Sequence, residues 1–376
     1  MSLIIPTKTV LDNELAAFNN AGSLKTGLPP SAYTSDEFWE AEKASLLPNS
    51  WVFVAFAHEM EKSGDTIPVT VGDSPLILVR NQDGSVKAFH NVCRHRCVKL
   101  VDSPQNVGRL LKCPYHAWAY GLDGALRTTP YFGGEEPNSA PEGFSAEDHG
   151  LKEVTCAVWH DWIFVNISGD AQPFDEYVAP LKNRLEGLDF EKAKLVGVID
   201  LGVVETNWKF LMENFIEPYH VQFVHSSTTD QPLVDHYIVD DGQCQGSAVD
   251  LDDEAEGGDG SGSTLAVSSR YLTLFPNFVF GRYVPDQMGV HLNVPAGPGK
   301  TLQRRAIYMT DGTELDAESA EKLKQLWIDV HKEDHDVCIR LMEGRKSPIA
   351  DGGVLSPHWE SSVRNFQEQV IDAVSK

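Results

Sequence analysis

The chain has 376 residues and a formal net charge of −24 at neutral pH. This length predicts two domains, and an apolar fraction of 41% excludes a disordered protein. A chain this acidic is not expected to bind nucleic acid or an anionic membrane. Its acidic surface is either only solvated or guides a basic redox partner.

Neither a secretory leader nor a membrane-spanning segment is predicted. The N-terminus lacks a long apolar core with a small-residue cleavage site, and no apolar run approaches the length of a membrane span. The six cysteines show no close pairing of the kind that marks a disulfide framework. These observations predict a cytoplasmic protein, because thiols stay reduced in that compartment.

The first half of the chain predicts an N-terminal arm and a small β domain. Residues 1–44 are polar, with a helix start at Ser35. Residues 45–166 contain short apolar strands, the first beginning at Trp51, with turns about every ten residues. This pattern is typical of a small antiparallel β domain.

The second half, residues 167–376, mixes predicted strands and helices, so the expected fold class is α+β. We expect one helix from Asn207 to about His225, a long helix at Leu315–Glu343 and a terminal helix at Ser361–Val374. The acidic, glycine-rich segment Asp240–Ser263 predicts a loop, because it has few apolar atoms to bury.

Two short motifs combine cysteine and histidine: Cys93-x-His95 and, seventeen residues later, Cys113-x-x-His116. This order suits a [2Fe–2S] cluster in which two thiolates hold one iron and two imidazoles hold the other. Structural zinc sites usually take two cysteines from one knuckle and two histidines from another. Each motif here supplies one of each, so a one-electron cluster is favoured over zinc.

A second group of candidate metal ligands contains His220 and His225. Two histidines and a carboxylate form the facial triad of non-haem iron oxygenases. Residues five positions apart on a regular helix point about 140° apart, so binding one metal requires a helix break, and Pro218 offers one. Alternatively, both histidines are ordinary polar residues on a helix.

The segments around these motifs resemble a known family. Two segments closely resemble the Rieske loops of ring-hydroxylating oxygenases: Asn91–Arg96 and Cys113–Trp118. A third segment, Glu213–His225, resembles part of the catalytic domain of these enzymes. The resemblance extends roughly over residues 51–366 and is to the oxygenase α subunit of Rieske non-haem iron oxygenases. Taken over this whole stretch, the sequence most resembles the choline, carnitine and betaine monooxygenase branch of the family. It implies a Rieske domain at 45–166, and at 167–376 a catalytic domain with a central antiparallel sheet flanked by helices, on which the arm packs.

Two positions depart from this family. It usually has glycine where this chain has Cys97 and Ala117. High-potential respiratory Rieske proteins carry a disulfide between the two loops, but Cys97 has no cysteine partner in the second loop. We therefore expect a low-potential cluster without a disulfide, and Cys97 as a small packed residue.

The resemblance also implies residue roles. The expected ligands of the [2Fe–2S] cluster are Cys93, His95, Cys113 and His116. The mononuclear Fe(II) is expected to be held by His220, His225 and a later carboxylate, for which Asp334 is the first candidate and Asp336 the second. Glu217 is expected to bridge subunits in a head-to-tail α₃ homotrimer, by linking His116 of one subunit to His220 of the next.

The implied function is that of an oxygenase component. A separate NAD(P)H-dependent ferredoxin or flavin reductase supplies electrons, and O₂ hydroxylates a small-molecule substrate. Glutamate at position 217, where ring-hydroxylating dioxygenases usually have aspartate, is associated with quaternary ammonium substrates, so we expect oxidative N-demethylation or cleavage of a betaine-type compound. The alternatives are an oxygenase that hydroxylates the ring of an aromatic acid and an electron carrier without mononuclear iron.

A quaternary ammonium group would suit an aromatic pocket. Aromatic residues on predicted strands of the catalytic domain are candidates, although such rings also commonly form the core. The candidates are Tyr271, Phe275, Phe278, Phe280 and Tyr283.

Overall fold

The structure is a computed structural model that describes residues 15–16, 18–19, 22, 24–225, 228, 232–250, 268–283 and 286–375. The chain forms two compact units: Leu47–Ala171, and a second that combines Met1–Leu46 with Gln172–Lys376. Both contain antiparallel sheets, and the mixed fold confirms the predicted α+β class. The expected domain limits at residues 44 and 166 stay a prediction.

Short helices form the N-terminal segment: α1 (Ser31–Thr34), α2 (Asp36–Ala41) and a π-helical turn (Glu42–Leu46). The Ser35 side chain caps α2 by accepting a hydrogen bond from Phe38 N–H. Two buried polar contacts join this segment to the larger part of its unit. Tyr33 OH donates to Glu213 Oε1 at 2.7 Å, and Lys209 Nζ lies 2.5 Å from Glu42 Oε1.

The unit Leu47–Ala171 is built from two antiparallel sheets. One has the order β1-β10-β9-β4-β3-β2-β5, and the other has the order β6-β7-β8. Their elements are α3 (Leu47–Asn49), β1 (Val52–Phe56), β2 (Asp65–Val71), β3 (Ser74–Arg80), β4 (Val86–His90), β5 (Gln105–Asn106), β6 (Leu110–Lys112), β7 (Ala119–Gly121), β8 (Leu126–Thr128), β9 (Glu153–Trp159) and β10 (Trp162–Asn166).

The second unit contains a seven-stranded antiparallel sheet in the order β11-β17-β16-β15-β14-β13-β12. The strands are β11 (Lys194–Val204), β12 (Tyr237–Asp241), β13 (Cys244–Asp250), β14 (Ser268–Leu274), β15 (Phe278–Tyr283), β16 (Gln287–Gly297) and β17 (Lys300–Met309). The helices are α4 (Phe174–Arg184), α5 (Trp208–Ile216), α6 (Val221–Val224), α7 (Ala317–Gly344) and α8 (Ser361–Val374).

Two local predictions need correction. The single helix expected from Asn207 to about His225 is divided into α5 and α6, because Glu217 adopts an extended backbone immediately before Pro218. The loop expected at Asp240–Ser263 begins instead with strand residues of β12 and β13, which continue to Asp250. The rest of that prediction lies outside the described residues.

Among the helices of the described residues, none has the length and apolar character needed to cross a bilayer.

Candidate metal centres and the adjoining cavity

The two cysteine–histidine motifs lie on loops of the β unit that have the same backbone pattern. In the first loop, Cys93 N–H donates to Val98 O and Cys97 N–H donates to Cys93 O. In the second, Cys113 N–H donates to Trp118 O and Ala117 N–H donates to Cys113 O. The two loops therefore present their cysteine and histidine side chains from similar tight turns.

The side chains of these loops divide by burial. Cys93 and Cys113 are 1% and 3% exposed within the core of the unit, and burial raises the pKa of the Cys113 thiol. The rings of His95 and His116 lie nearer the surface with centroids 4.8 Å apart, and His116 is exposed. Two buried thiols beside two outer imidazoles are the donor set that a Rieske cluster requires, so these residues fit the cofactor.

Tyr120 supports the first loop from within the core. Its hydroxyl lies 3.3 Å from Cys93 Sγ and accepts a hydrogen bond from Arg94 N–H at 2.9 Å. Hydrogen bonds near cluster sulfurs are one of the means by which a protein sets the reduction potential.

Cys97 and Ala117 occupy strained backbone positions. Both have φ of 57°, in the left-handed region that glycine adopts easily and other residues adopt at a cost. These are the two positions where the family usually has glycine. The loop geometry is therefore kept here although the side chains differ, and Cys97 is exposed rather than packed.

His220 and His225 lie at the two ends of the one-turn helix α6. His220 is its N-cap residue, and His225 is its C-cap residue. Because α5 ends at Ile216, neither histidine belongs to a continuous long helix. Their rings come within 5.3 Å of each other between centroids, so the break removes the 140° separation that a regular helix would impose.

A carboxylate holds the Nδ1 atom of each histidine. Glu217 Oε1 lies 2.8 Å from His220 Nδ1, and Glu333 Oε2 lies 2.8 Å from His225 Nδ1. Thr228 Oγ1 also donates to Glu333 Oε2, at 3.0 Å. A carboxylate accepts the Nδ1 proton and leaves Nε2 as a lone-pair donor, which is the arrangement of metal-binding histidines.

Asp334, on α7, faces both of these Nε2 atoms. Its Oδ1 lies 3.0 Å from His225 Nε2 and 3.6 Å from His220 Nε2. This oxygen is buried but has no hydrogen-bond partner of good geometry among the described residues. Three lone pairs therefore point toward one another, and a cation among them would satisfy all three. The donor atoms lie within 4.8 Å of one another, so the residues fit one metal ion.

The pKa values of the three residues are also shifted in the directions that favour positive charge at this site. Burial lowers the pKa of His225, but Asp334 and Glu333 outweigh it and raise the net pKa to about 9. Burial also lowers the pKa of His220, but the Glu217 carboxylate outweighs it, so the net pKa of His220 is raised. Burial also raises the pKa of Asp334, but the two histidines bring the net pKa below its usual value. Asp336, the second candidate ligand, is exposed and lies outside this group.

A cavity of about 650 Å³ adjoins the three candidate ligands. One face of the sheet lines this cavity. Residues that pair across neighbouring strands lie on the same face, as does every second residue along a strand. Ser247 pairs with Tyr271, Tyr271 with Gly281, and His291 with Arg305. The lining residues of this face are Ser247, Ser269, Tyr271, Tyr283, Gln287, His291 and Arg305.

The predicted aromatic pocket is only partly placed at this cavity. Tyr271 and Tyr283 line it, whereas Phe275, Phe278 and Phe280 do not. Phe278 and Phe280 alternate with the cavity-facing positions of β15 and are fully buried on the other side of the sheet. Phe275 follows β14 and contacts the ring of Phe366. These three phenylalanines belong to the core, which corrects the pocket prediction.

Sequence reasoning missed several polar residues of this region. Glu333 is not singled out from the sequence, although its place directly before a candidate ligand was the signal that could have identified it. His236 lines the cavity with its Nε2 buried and without a partner in the described ranges, and burial lowers its pKa to about 4. Arg305 is buried in the same wall. Nothing in the local sequence indicates that an arginine in a strand is buried.

Comparison with known families and relatives assigns both units. Residues 185–376 match the model of the ring hydroxylating alpha subunit (catalytic domain), and residues 50–136 match the Rieske [2Fe-2S] domain. These matches imply a Rieske cluster and a mononuclear iron as cofactors. The individual ligand assignments stay predictions.

Two curated relatives are oxygenase subunits. The glycine betaine monooxygenase oxygenase subunit of Chromohalobacter salexigens is 30% identical over 250 residues, covering 65% of this chain and 54% of the relative. The carnitine monooxygenase oxygenase subunit of Acinetobacter baumannii is 30% identical over 217 residues, covering 56% and 55%. The matched part thus spans about half the length of these relatives.

Solved structures share the fold. The quaternary ammonium Rieske monooxygenase CntA superposes with a TM-score of 0.78 at 23% identity, covering 93% of this chain and 96% of that one. Naphthalene 1,2-dioxygenase from Rhodococcus sp. gives a TM-score of 0.75 at 18% identity, covering 97% and 98%.

Proposed function

The chain belongs to the family of ring-hydroxylating alpha subunits, and we propose that it is the oxygenase component of a Rieske non-haem iron monooxygenase. The proposed substrate is a small quaternary ammonium compound of the betaine type. The observation that carries the proposal is the convergence of His220 Nε2, His225 Nε2 and Asp334 Oδ1 beside a cavity, in a chain that also has a Rieske domain.

Each ligand set has a separate task in this proposal. Cys93, His95, Cys113 and His116 would hold the [2Fe–2S] cluster, and His220, His225 and Asp334 would hold the mononuclear iron. When bound, the two cofactors supply one-electron transfer and an open coordination site for O₂. The protein contributes orientation, because Glu217 and Glu333 fix the two histidine rings so that both Nε2 atoms face Asp334.

We propose that electrons pass between neighbouring subunits of a homotrimer. His116 is exposed on the Rieske unit, and Glu217 is held against His220. A carboxylate accepting a hydrogen bond from each histidine would connect the two centres across a subunit interface. The electrons would come from NAD(P)H through a separate ferredoxin or flavin reductase.

The proposed reaction is hydroxylation of an N-methyl carbon. One O₂, two electrons and two protons convert N–CH₃ to N–CH₂OH and water. The N–CH₂OH group then loses formaldehyde and a proton, which leaves the tertiary amine. Resemblance to glycine betaine and carnitine monooxygenase subunits supports this substrate class.

The test is a steady-state screen of the purified chain with an NAD(P)H-dependent reductase, following O₂ uptake and identifying products. Formaldehyde from a betaine is the expected result. A cis-diol or a phenol formed from an aromatic acid, without activity on betaines, would contradict the proposed substrate class. A protein with two irons per chain and no oxygenation would instead be an electron carrier.

A further inference from the structure

Arg305 is a buried cation in the wall of the cavity, and no carboxylate of the described residues forms a direct ion pair with it, although the charge of Asp334 acts on it from farther away. Its side chain is 1% exposed, and it lies on the cavity face of β17. Its guanidinium is hydrogen-bonded to two histidines, and the Tyr283 hydroxyl also interacts with it. Burying a cation is costly unless an anion or a full set of hydrogen-bond acceptors compensates it. Two histidines, the nearby Tyr283 hydroxyl and the more distant charge of Asp334 compensate it only in part.

The surrounding residues hold this guanidinium in place. Nη1 donates to His291 Nε2 at 2.9 Å and lies 3.4 Å from His331 Nε2. Burial lowers the pKa of both histidines well below the usual value, so they are neutral acceptors. The Trp327 ring stacks on the guanidinium, with its centroid 3.6 Å from Cζ. A side-chain carbon at Gly289 would lie 2.7 Å from Cζ, so glycine leaves the space that Arg305 fills.

Two donors of Arg305 remain unused. In the part of the chain that the structure describes, Nε and Nη2 are buried without a hydrogen-bond partner of good geometry. The hydroxyl of Tyr283 interacts with the guanidinium, but it does not form a hydrogen bond of good geometry with either atom. Nε and Nη2 form one edge of a guanidinium, and the two oxygens of a carboxylate match this edge in a forked pair. Both atoms are buried, so a carboxylate would reach this edge when a neighbouring side chain, such as that of Tyr283 or Trp327, turns aside.

We propose that Arg305 binds the carboxylate of the substrate and thereby selects carboxylate-bearing substrates, an inference that rests on the proposed oxygenase function. Arg305 and the candidate iron ligands line the same cavity. A ligand anchored at Arg305 therefore extends toward Asp334 and the two histidines. Glycine betaine, carnitine and aromatic acids share the required carboxylate, and choline lacks it.

Arg305 also limits where the cation of a betaine can bind. The guanidinium already lies over the rings of Trp327 and Tyr283, at 3.6 and 5.2 Å from their centroids. These two rings are therefore engaged by an internal cation. The cavity retains the pair Tyr271 and Phe215, whose ring centroids are 6.3 Å apart, as the aromatic surface for a trimethylammonium group.

The test compares ligands that differ only in the anionic group. Calorimetric binding to the full-length holoenzyme without O₂ would use glycine betaine against choline, and benzoate against benzyl alcohol. We expect the carboxylate of at least one pair to bind about tenfold or more tightly than its alcohol. The pair that shows this preference distinguishes a betaine from an aromatic acid. If no carboxylate is preferred, the proposal is wrong.

Variants then assign the preference to one side chain. Arg305→Met should remove it, and Arg305→Lys, which keeps the charge without the fork, should reduce it. Arg304→Met is the matched control, because Arg304 is the adjacent residue of β17 and faces the other side of the sheet. Cluster absorbance reports folding, and Arg305→Lys serves if Arg305→Met does not fold. A preference that survives in the folded Arg305 variants, or is lost equally in Arg304→Met, would contradict the proposal.

Binding and turnover separate this inference from the proposed function. If carboxylate binding depends on Arg305 but no ligand gives an oxygenated product, the oxygenase proposal is wrong and the proposal of a carboxylate site at Arg305 stands. Formaldehyde released from choline as readily as from glycine betaine would support the oxygenase proposal and overturn the role of Arg305.

Discussion

Glu217 holds His220 through both of its carboxylate oxygens. Oε1 lies 2.8 Å from His220 Nδ1, and Oε2 accepts a hydrogen bond from the His220 backbone N–H at 3.0 Å. This double contact fixes the backbone and the ring of a candidate ligand together. The extended backbone of Glu217, which ends α5, is what brings its carboxylate back toward a residue three positions later.

Glu217→Gln should reduce product formation by about tenfold or more while iron and cluster contents stay unchanged. An amide oxygen can still accept the Nδ1 proton, so the ring remains oriented, but the negative charge next to His220 is lost. Stopped-flow absorbance should show slower oxidation of the reduced cluster by O₂ in the presence of substrate.

Glu333→Gln is the matched control, because Glu333 makes the equivalent contact to His225 and lies off the proposed electron path. It should leave the rate of cluster oxidation near that of the wild type. Equal slowing in both variants would remove the bridging role of Glu217 and leave only ring orientation.

Asp334→Ala should lose the mononuclear iron and keep the cluster. Total iron should fall from about three to about two per chain, with acid-labile sulfide unchanged. Asp336→Ala should retain all the iron, since Asp336 is exposed and outside the group of three. Loss of iron in Asp336→Ala but not in Asp334→Ala would show that the ligand assignment is wrong by two residues.

Ala117→Gly should stabilise the Rieske unit. Ala117 has φ of 57°, and relief of this strain outweighs the greater chain entropy of glycine by up to about 1 kcal/mol. Thermal unfolding followed by cluster absorbance measures the change. Ala125→Gly, at a position without positive φ, should not stabilise. A lower melting temperature for Ala117→Gly would contradict the strain argument.

Glu213 should make stability depend on pH. Burial raises its pKa in the folded chain to about 7, above the unfolded value, although the hydrogen bond from Tyr33 opposes the rise. The folded state therefore binds the proton more tightly, and stability falls as pH rises from about 4.5 through about 7. The melting temperature of Glu213→Gln minus that of the wild type should increase over this window. A difference that is constant with pH would show that Glu213 does not titrate there.

The predicted ligands that lie close together in the structure are mostly near one another along the chain. The cysteine and the histidine of each loop are close in space because they are close along the chain. In the structure the two loops also lie next to each other. The sequence predicted one helix here and named a break at Pro218 only as a condition for metal binding, since two histidines five residues apart cannot serve one metal on a regular helix. The sequence did not show that the break begins at Glu217, because that depends on its extended backbone.

The sequence did not predict the roles of residues that depend on contacts with residues distant along the chain. The burial of Arg305 requires Trp327 from α7 and a glycine on the neighbouring strand. Phe278 and Phe280 were expected in the pocket because they are aromatic. The strand pairing of Tyr271 with Gly281 decides that the opposite face of β15 lines the cavity.

A single-turnover experiment tests the central claim most directly. Holoenzyme is reduced chemically, freed of reductant and mixed with O₂ and glycine betaine, so no reductase partner is needed. We expect formaldehyde in proportion to the mononuclear iron content, together with oxidation of the cluster. Oxidation of the cluster without formaldehyde, combined with a hydroxylated product from an aromatic acid under the same conditions, would contradict it.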